Sequence, residues 1–186
     1  IVKNHGKGKT IYLNMHITDY HRWRLKKEEG IDVLRLMSEI FSIAGIKKPV
    51  TVRNQENEAP VGIELFSWNY KDMKIIGFHR NYQNRVSELG PPEYQDQSRL
   101  EADMALTVML DEDYAVYETR TGKYLGTTRE VTFEMDKWEP VLFTLLRKPV
   151  SGISLKAASK AIKGQKLTAE IAVMSESPGA FHVFRV

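Results

Sequence analysis

The apolar positions of this chain change period once. From Glu28 to Ala44 they recur as Ile31, Leu34, Met37, Ile40, Phe41 and Ala44, the spacing of one helical face. Glu28, Glu29 and Asp32 open the segment, where the helix dipole favours acid. Gly45 and Pro49 follow the last apolar position, as a C-terminal stop requires. The pattern predicts one long helix over 28–44. Before it, Gly6-Lys7-Gly8-Lys9 reads as a turn feeding a short strand over 10–14.

After Pro49 the pattern is that of strands. Val50 to Arg53, Val61 to Tyr70 and Met73 to Arg80 are three, separated by a polar turn at 54–60 and a tight turn at 69–72. Residues 81–99 are polar, contain Gly90-Pro91-Pro92 and predict a long loop. Met104, Leu106, Val108 and Leu110 alternate with more polar residues. Asp111-Glu112-Asp113 predicts a solvated turn into a strand over 114–118. Arg120-Thr121-Gly122-Lys123 is a hairpin signal, Gly122 being suited to positive φ. Val131, Phe133 and Met135 alternate again, and 141–146 is an apolar run. Pro149 to Gly152 reads as a linker. Leu167, Ala169, Ile171 and Val173 then alternate, and Phe181 to Val186 closes the chain as a strand with no turn after it. That ending leads us to expect an excerpt of a longer protein. Many short strands with regular turn signals predict a β-sandwich.

Composition narrows the chemistry. The chain has 186 residues, 42% of them hydrophobic, which suits one large domain or two small ones and excludes a wholly disordered chain. It has no cysteine, which excludes a disulfide scaffold, a thiolate zinc site and a cysteine nucleophile. No apolar run approaches membrane-spanning length. The net charge is only +3, and the basic-aromatic segment Tyr20-His21-Arg22-Trp23-Arg24 is followed at once by Glu28-Glu29. A loop packed on a neighbouring domain is therefore preferred there over nucleic-acid contact.

The remaining motifs are weak. Gly6-Lys7-Gly8-Lys9 precedes a strand, so no helix N-terminus is offered to a phosphate. His5, His16, His21, His79 and His182 form no metal-ligand spacing. Asp111, Glu112, Asp113, Glu118, Glu130, Glu134 and Asp136 supply carboxylates, but a glycosidase needs two facing each other across a cleft. Phe66, Trp68 and Tyr70 alternate on one strand and share a face, with Val61, Ile63 and Leu65 on the other. Such an aromatic row stacks on sugar rings. The preferred expectation is that both faces are covered, one by the core and one by a neighbouring domain. Trp138 is expected to plug the end of the sandwich.

Three stretches carry a resemblance. Gly6 to Asn14 resembles the last strand of the glutamine-amidotransferase-like trimerisation domain of family 42-type β-galactosidases, and the helix ending Ala44-Gly45-Ile46 is similar to the one that follows it. Tyr114 to Gly126, with Arg120-Thr121-Gly122-Lys123-Tyr124-Leu125-Gly126, resembles a hairpin of the β-sandwich after that domain. The tail 153–186 looks like the opening half of another immunoglobulin-like domain. The family's catalytic glutamates lie in an N-terminal barrel that has no counterpart here, so no catalytic residue is carried over.

The resulting expectation is an α+β, mainly β chain. Residues 1–48 would be the C-terminal piece of a flavodoxin-like α/β domain. Residues 49–148 would form an immunoglobulin-like β-sandwich, and 149–186 the truncated start of a second β-domain. The helix would bury its apolar stripe on the α/β sheet. The implied function is a non-catalytic accessory region of a large glycoside hydrolase, serving domain packing, oligomerisation or active-site shielding. The alternative is a carbohydrate-binding β-sandwich acting alone, with Phe66, Trp68 and Tyr70 as glycan contacts. Neither reading calls for a cofactor or a metal. The partners are other domains of the same polypeptide, a homo-oligomer or a carbohydrate, with no nucleic acid and no membrane. The compartment is open, with export to the periplasm or cell exterior preferred over the cytoplasm.

Overall fold

The computed structural model describes residues 1–14, 27–60, 62–81 and 102–176. They are mainly β, with one helix. The strands are β1 (Val2–His5), β2 (Gly8–Ile11), β3 (Val50–Arg53), β4 (Ile63–Tyr70), β5 (Met73–Arg80), β6 (Met104–Glu118), β7 (Tyr124–Met135), β8 (Val141–Leu146), β9 (Val150–Ala157) and β10 (Ala169–Ser175). The helix α1 spans Lys27–Ile43. Six strands form one sheet in the order β3-β6-β8-β5-β4, with β7 paired to β6; β1-β2 and β9-β10 are separate hairpins. The closing run 181–186, all but Asn81 of the loop expected over 81–99, and the segment 20–24 lie outside the described residues.

The chain divides into two compact units. One comprises Ile1–Glu64, Phe78–Asp111 and Glu130–Pro140; the other comprises Leu65–Gly77, Glu112–Arg129 and Val141–Val186.

In the first unit β3 and β6 run antiparallel, with Val50 opposite Leu110 and Val52 opposite Val108. Opposed residues point to the same face. Val50, Leu106, Val108, Leu110, Val131, Met135 and Phe78 are buried. The Phe78 ring lies 5.3 Å from Phe133. Arg80 is also buried, and its Nη2 donates to the carbonyls of Ala102 (2.6 Å) and Met135 (3.4 Å).

Helix α1 ends as the sequence requires. Gly45 sits at φ 77°, Ile46 N–H donates to Phe41 O (2.8 Å) and Gly45 N–H to Ser42 O (2.9 Å). These two bonds are those of a Schellman stop. Its last turn carries no basic residue, and Lys9 Nζ supplies the cation from β2 by donating to Ile43 O at 2.5 Å. The expected burial of the helix stripe differs: Leu34, Met37 and Ile40 are half-buried, while Ile31, Phe41 and Ala44 are exposed. Within the described residues no layer covers that stripe fully. The Gly-Lys-Gly-Lys run is a turn, with Gly6 at φ 56°, but it closes a hairpin with β1, a strand the apolar pattern did not signal.

In the second unit β6 and β8 pair with Ala115 opposite Leu146 and Val116 opposite Leu145. Ala115 and Leu146 cluster with Met73, and Ile75, Tyr117 and Val150 pack on them. Val116 and Leu145, on the opposite face, are buried too. Cover on both faces explains why Tyr114-Ala115-Val116 is continuously apolar where an alternating strand would have polar positions.

Two sequence expectations are corrected here. Asp111-Glu112-Asp113 is not a turn, because β6 runs through it. Glu112 accepts a bond from Tyr114 Oη (2.7 Å) and pairs with Arg147, while Asp111 and Asp113 face water, so the strand carries three acids without burying an unpaired charge. Residues 149–152 are not a free linker either. Val150 N–H donates to Tyr117 Oη (2.8 Å) and Ser151 Oγ to Met174 O (2.9 Å), so β9 begins there.

Candidate functional site

Phe66, Trp68 and Tyr70 occupy alternate positions of β4, so the pleat sets all three on one face. They are 46%, 52% and 50% exposed, too open for core residues and too apolar for an ordinary surface. A neighbouring domain is expected to cover this face; among the described residues none of the three rings is buried. The Phe66 and Trp68 rings are near parallel, 12° between planes with centroids 5.9 Å apart. Lys71 Nζ lies 5.4 Å from the Tyr70 ring centroid, a cation–π contact at the end of the row.

The floor under the indole is Gly77 of β5. A Cβ placed there would stand 3.3 Å from Trp68 Cζ3 and 3.6 Å from Cη2. The side chain of Leu142 lies 3.8 Å from the same point. Gly77 therefore leaves the room in which the ring rests on the sheet. The sequence reading singled out the three aromatics and missed this glycine. A glycine inside an apolar strand pattern was the available signal, since it marks close approach of another group.

Among the described residues the other candidates form no competing metal or acid–base cluster of three or more groups. Among the described residues no group of three or more His, Asp or Glu could hold a metal ion. His5 is exposed on β1 and His79 half-buried on β5; His16, His21 and His182 lie outside the described residues. Burial pushes the Glu118 carboxyl up, but bonds from Thr121 Oγ1 (2.5 Å), Arg120 N–H (3.0 Å) and Thr121 N–H (2.7 Å) together hold it below the usual carboxylate range. Asp136 is likewise held low by the N–H groups of Trp138 (2.6 Å) and Glu139 (2.9 Å). Both carboxylates fasten turns and are poor general acids at neutral pH, since each stays ionised. Trp138, expected to plug an end of the fold, is 48% exposed beside that second turn.

Two cavities lie in the first unit, apart from the aromatic row. One of about 250 Å³ is lined by Asn54, Gln55, Glu56, Asp103, Ala105 and Glu134 among others. The second, about 350 Å³, lies between α1 and residues 48–59, with Ile31, Leu34 and Ala59 in its wall. The first is polar and acidic, and the second follows from the incompletely covered helix stripe.

The β4 face can offer apolar ring faces to a flat or C–H-rich ligand. Compared with known proteins, the chain matches no protein-family profile, no curated protein and no solved structure.

Proposed function

We propose that this chain is a non-catalytic accessory β-region of a larger glycoside hydrolase-type protein, and that its working surface is the aromatic face of β4, which takes up carbohydrate. The observation that carries this reading is the pair of near-parallel, half-exposed rings of Phe66 and Trp68, with the Trp68 indole resting over Gly77. Pyranose rings present C–H faces that stack on aromatic faces, while their hydroxyls remain in water. An open strand face suits a sugar chain better than a small metabolite, which is held in concave pockets.

The accessory part of the reading draws support from surfaces left open. Ile153 and Leu155 of β9 stand opposite Val173 and Ile171 of β10, and the two β9 side chains are 64% and 65% exposed. A lone two-stranded hairpin is marginal in water. In this reading β9-β10 opens a further immunoglobulin-like domain, the six-stranded sheet belongs to the preceding sandwich, and α1 belongs to an α/β domain whose sheet covers its stripe.

The test is a glycan array probed with the purified chain and with Trp68→Ala. The wild type is expected to bind a neutral polysaccharide, and Trp68→Ala to lose about tenfold or more in affinity, equal to about 1.4 kcal/mol, with an unchanged circular dichroism spectrum. Binding to no glycan, or equal binding by the variant, refutes the carbohydrate reading.

A further inference from the structure

The free edge of β4 carries an inference separate from its face. β4 stands at the end of the strand order, and among the described residues no strand pairs with its outer edge. β4 and β5 are equal in length and joined by Lys71-Asp72, which sets Tyr70 beside Met73 and Ile63 beside Arg80. Asn81 N–H donates to Gly62 O at 2.9 Å, in the same register. Backbone groups of a strand bond alternately to either side, so Gly62, Phe66 and Trp68 bond inward and Leu65, Ser67 and Asn69 direct their N–H and C=O groups outward.

Proteins normally guard such an edge with charge, proline or a bulge. From Leu65 to Tyr70 the sequence is Leu-Phe-Ser-Trp-Asn-Tyr, with no charged residue and no proline. Its only charges flank it, Glu64 before and Lys71 after. Read against its own reverse about Ser67, this strand is self-complementary. Phe66 falls opposite Trp68 of the second strand, and Glu64 falls opposite Tyr70, beside Lys71.

We propose that two copies of this chain pair antiparallel through their β4 edges, with Ser67 at the two-fold axis. The pairing uses the outward groups of Leu65, Ser67 and Asn69, matches two Phe–Trp pairs across the strands and brings the acidic end of each against the basic end of the other. Each copy spends its one β4 edge, so the assembly closes at two. Opposed residues of an antiparallel pair share a face, so the two aromatic rows merge on one side into a platform of six rings. The contact is a single strand pair, which places it among weak, concentration-dependent interfaces.

Sedimentation equilibrium across about 1 μM to 1 mM tests this. The wild type is expected to pass from 21.4 kDa toward twice that mass. Ser67→Pro removes an outward N–H, and Ser67→Lys sets two like charges at the axis; both are expected to remain monomeric with unchanged melting. The lysine variant keeps the test sound if proline disturbs the strand. A wild type that stays monomeric throughout, or a dimer that persists in Ser67→Lys, overturns the proposal.

Discussion

β4 and β5 are eight residues each, share a two-residue turn and read alike as apolar strands, yet their environments are opposite. β5 buries Met73, Ile76, Gly77, Phe78 and Arg80, whereas from Leu65 to Tyr70 every residue of β4 is exposed. The difference lies in their place in the sheet. β5 lies between β8 and β4, and β4 ends the order. Apolar content alone brings a chain segment into a sheet, but neighbours decide whether it is covered. An apolar strand left uncovered at the end of a sheet is thus the region where a partner or ligand is most informative to seek.

The sharpest way to break this comparison is to truncate one phenylalanine on each strand. Phe78→Ala, at 0% exposure against Phe133, is expected to cost about 3–5 kcal/mol, while Phe66→Ala, already 46% exposed, is expected to cost less than about 1 kcal/mol. Urea unfolding of both measures the gap, and equal losses would mean that β4 is buried in solution.

Gly77→Val probes where the strands meet. Even a Cβ at that position stands 3.3 Å from the indole, so the branched side chain displaces the Trp68 ring. The expected outcome is a loss of glycan affinity comparable with that of Trp68→Ala, accompanied by a shift in tryptophan emission. Unchanged affinity would show that the ring does not need its seat on β5.

The smallest effect belongs to the turn that closes β6 and β7. The carboxyl of Glu118 is held low in the folded state, so its contribution to stability is present above the carboxyl's unfolded value and fades as pH falls through the folded one. Glu118→Gln is expected to lose less than about 1 kcal/mol at pH 7 and to flatten the acid side of the stability–pH curve. An acid limb as steep as that of the wild type would place the pH dependence elsewhere.

Much of the fold was legible from local pattern. Met73 to Arg80 and Val50 to Arg53 have the bounds their apolar runs implied, and Gly45 stops α1 through bonds that only its positive φ permits. Gly122 turns the hairpin at φ 70° for the same reason. What failed depended on partners distant in sequence. Asp111-Glu112-Asp113 looked like a turn because Arg147, which pairs with Glu112, lies far along the chain. Pro149 to Gly152 looked like a linker because Tyr117, which receives the Val150 N–H, lies on another strand. The aromatic row of the candidate site was legible as a shared face from its period of two. Its exposure and its glycine floor were not, since both follow from where β4 and β5 lie in the sheet.

Saturation-transfer difference NMR tests the central claim most directly, because it detects sugar protons held against protein side chains. With a soluble polysaccharide that the chain binds, the account predicts transfer to the ring C–H protons of the sugar, lost in Trp68→Ala while the variant stays folded. Transfer that persists at full strength in Trp68→Ala, or no transfer to any polysaccharide, would contradict it.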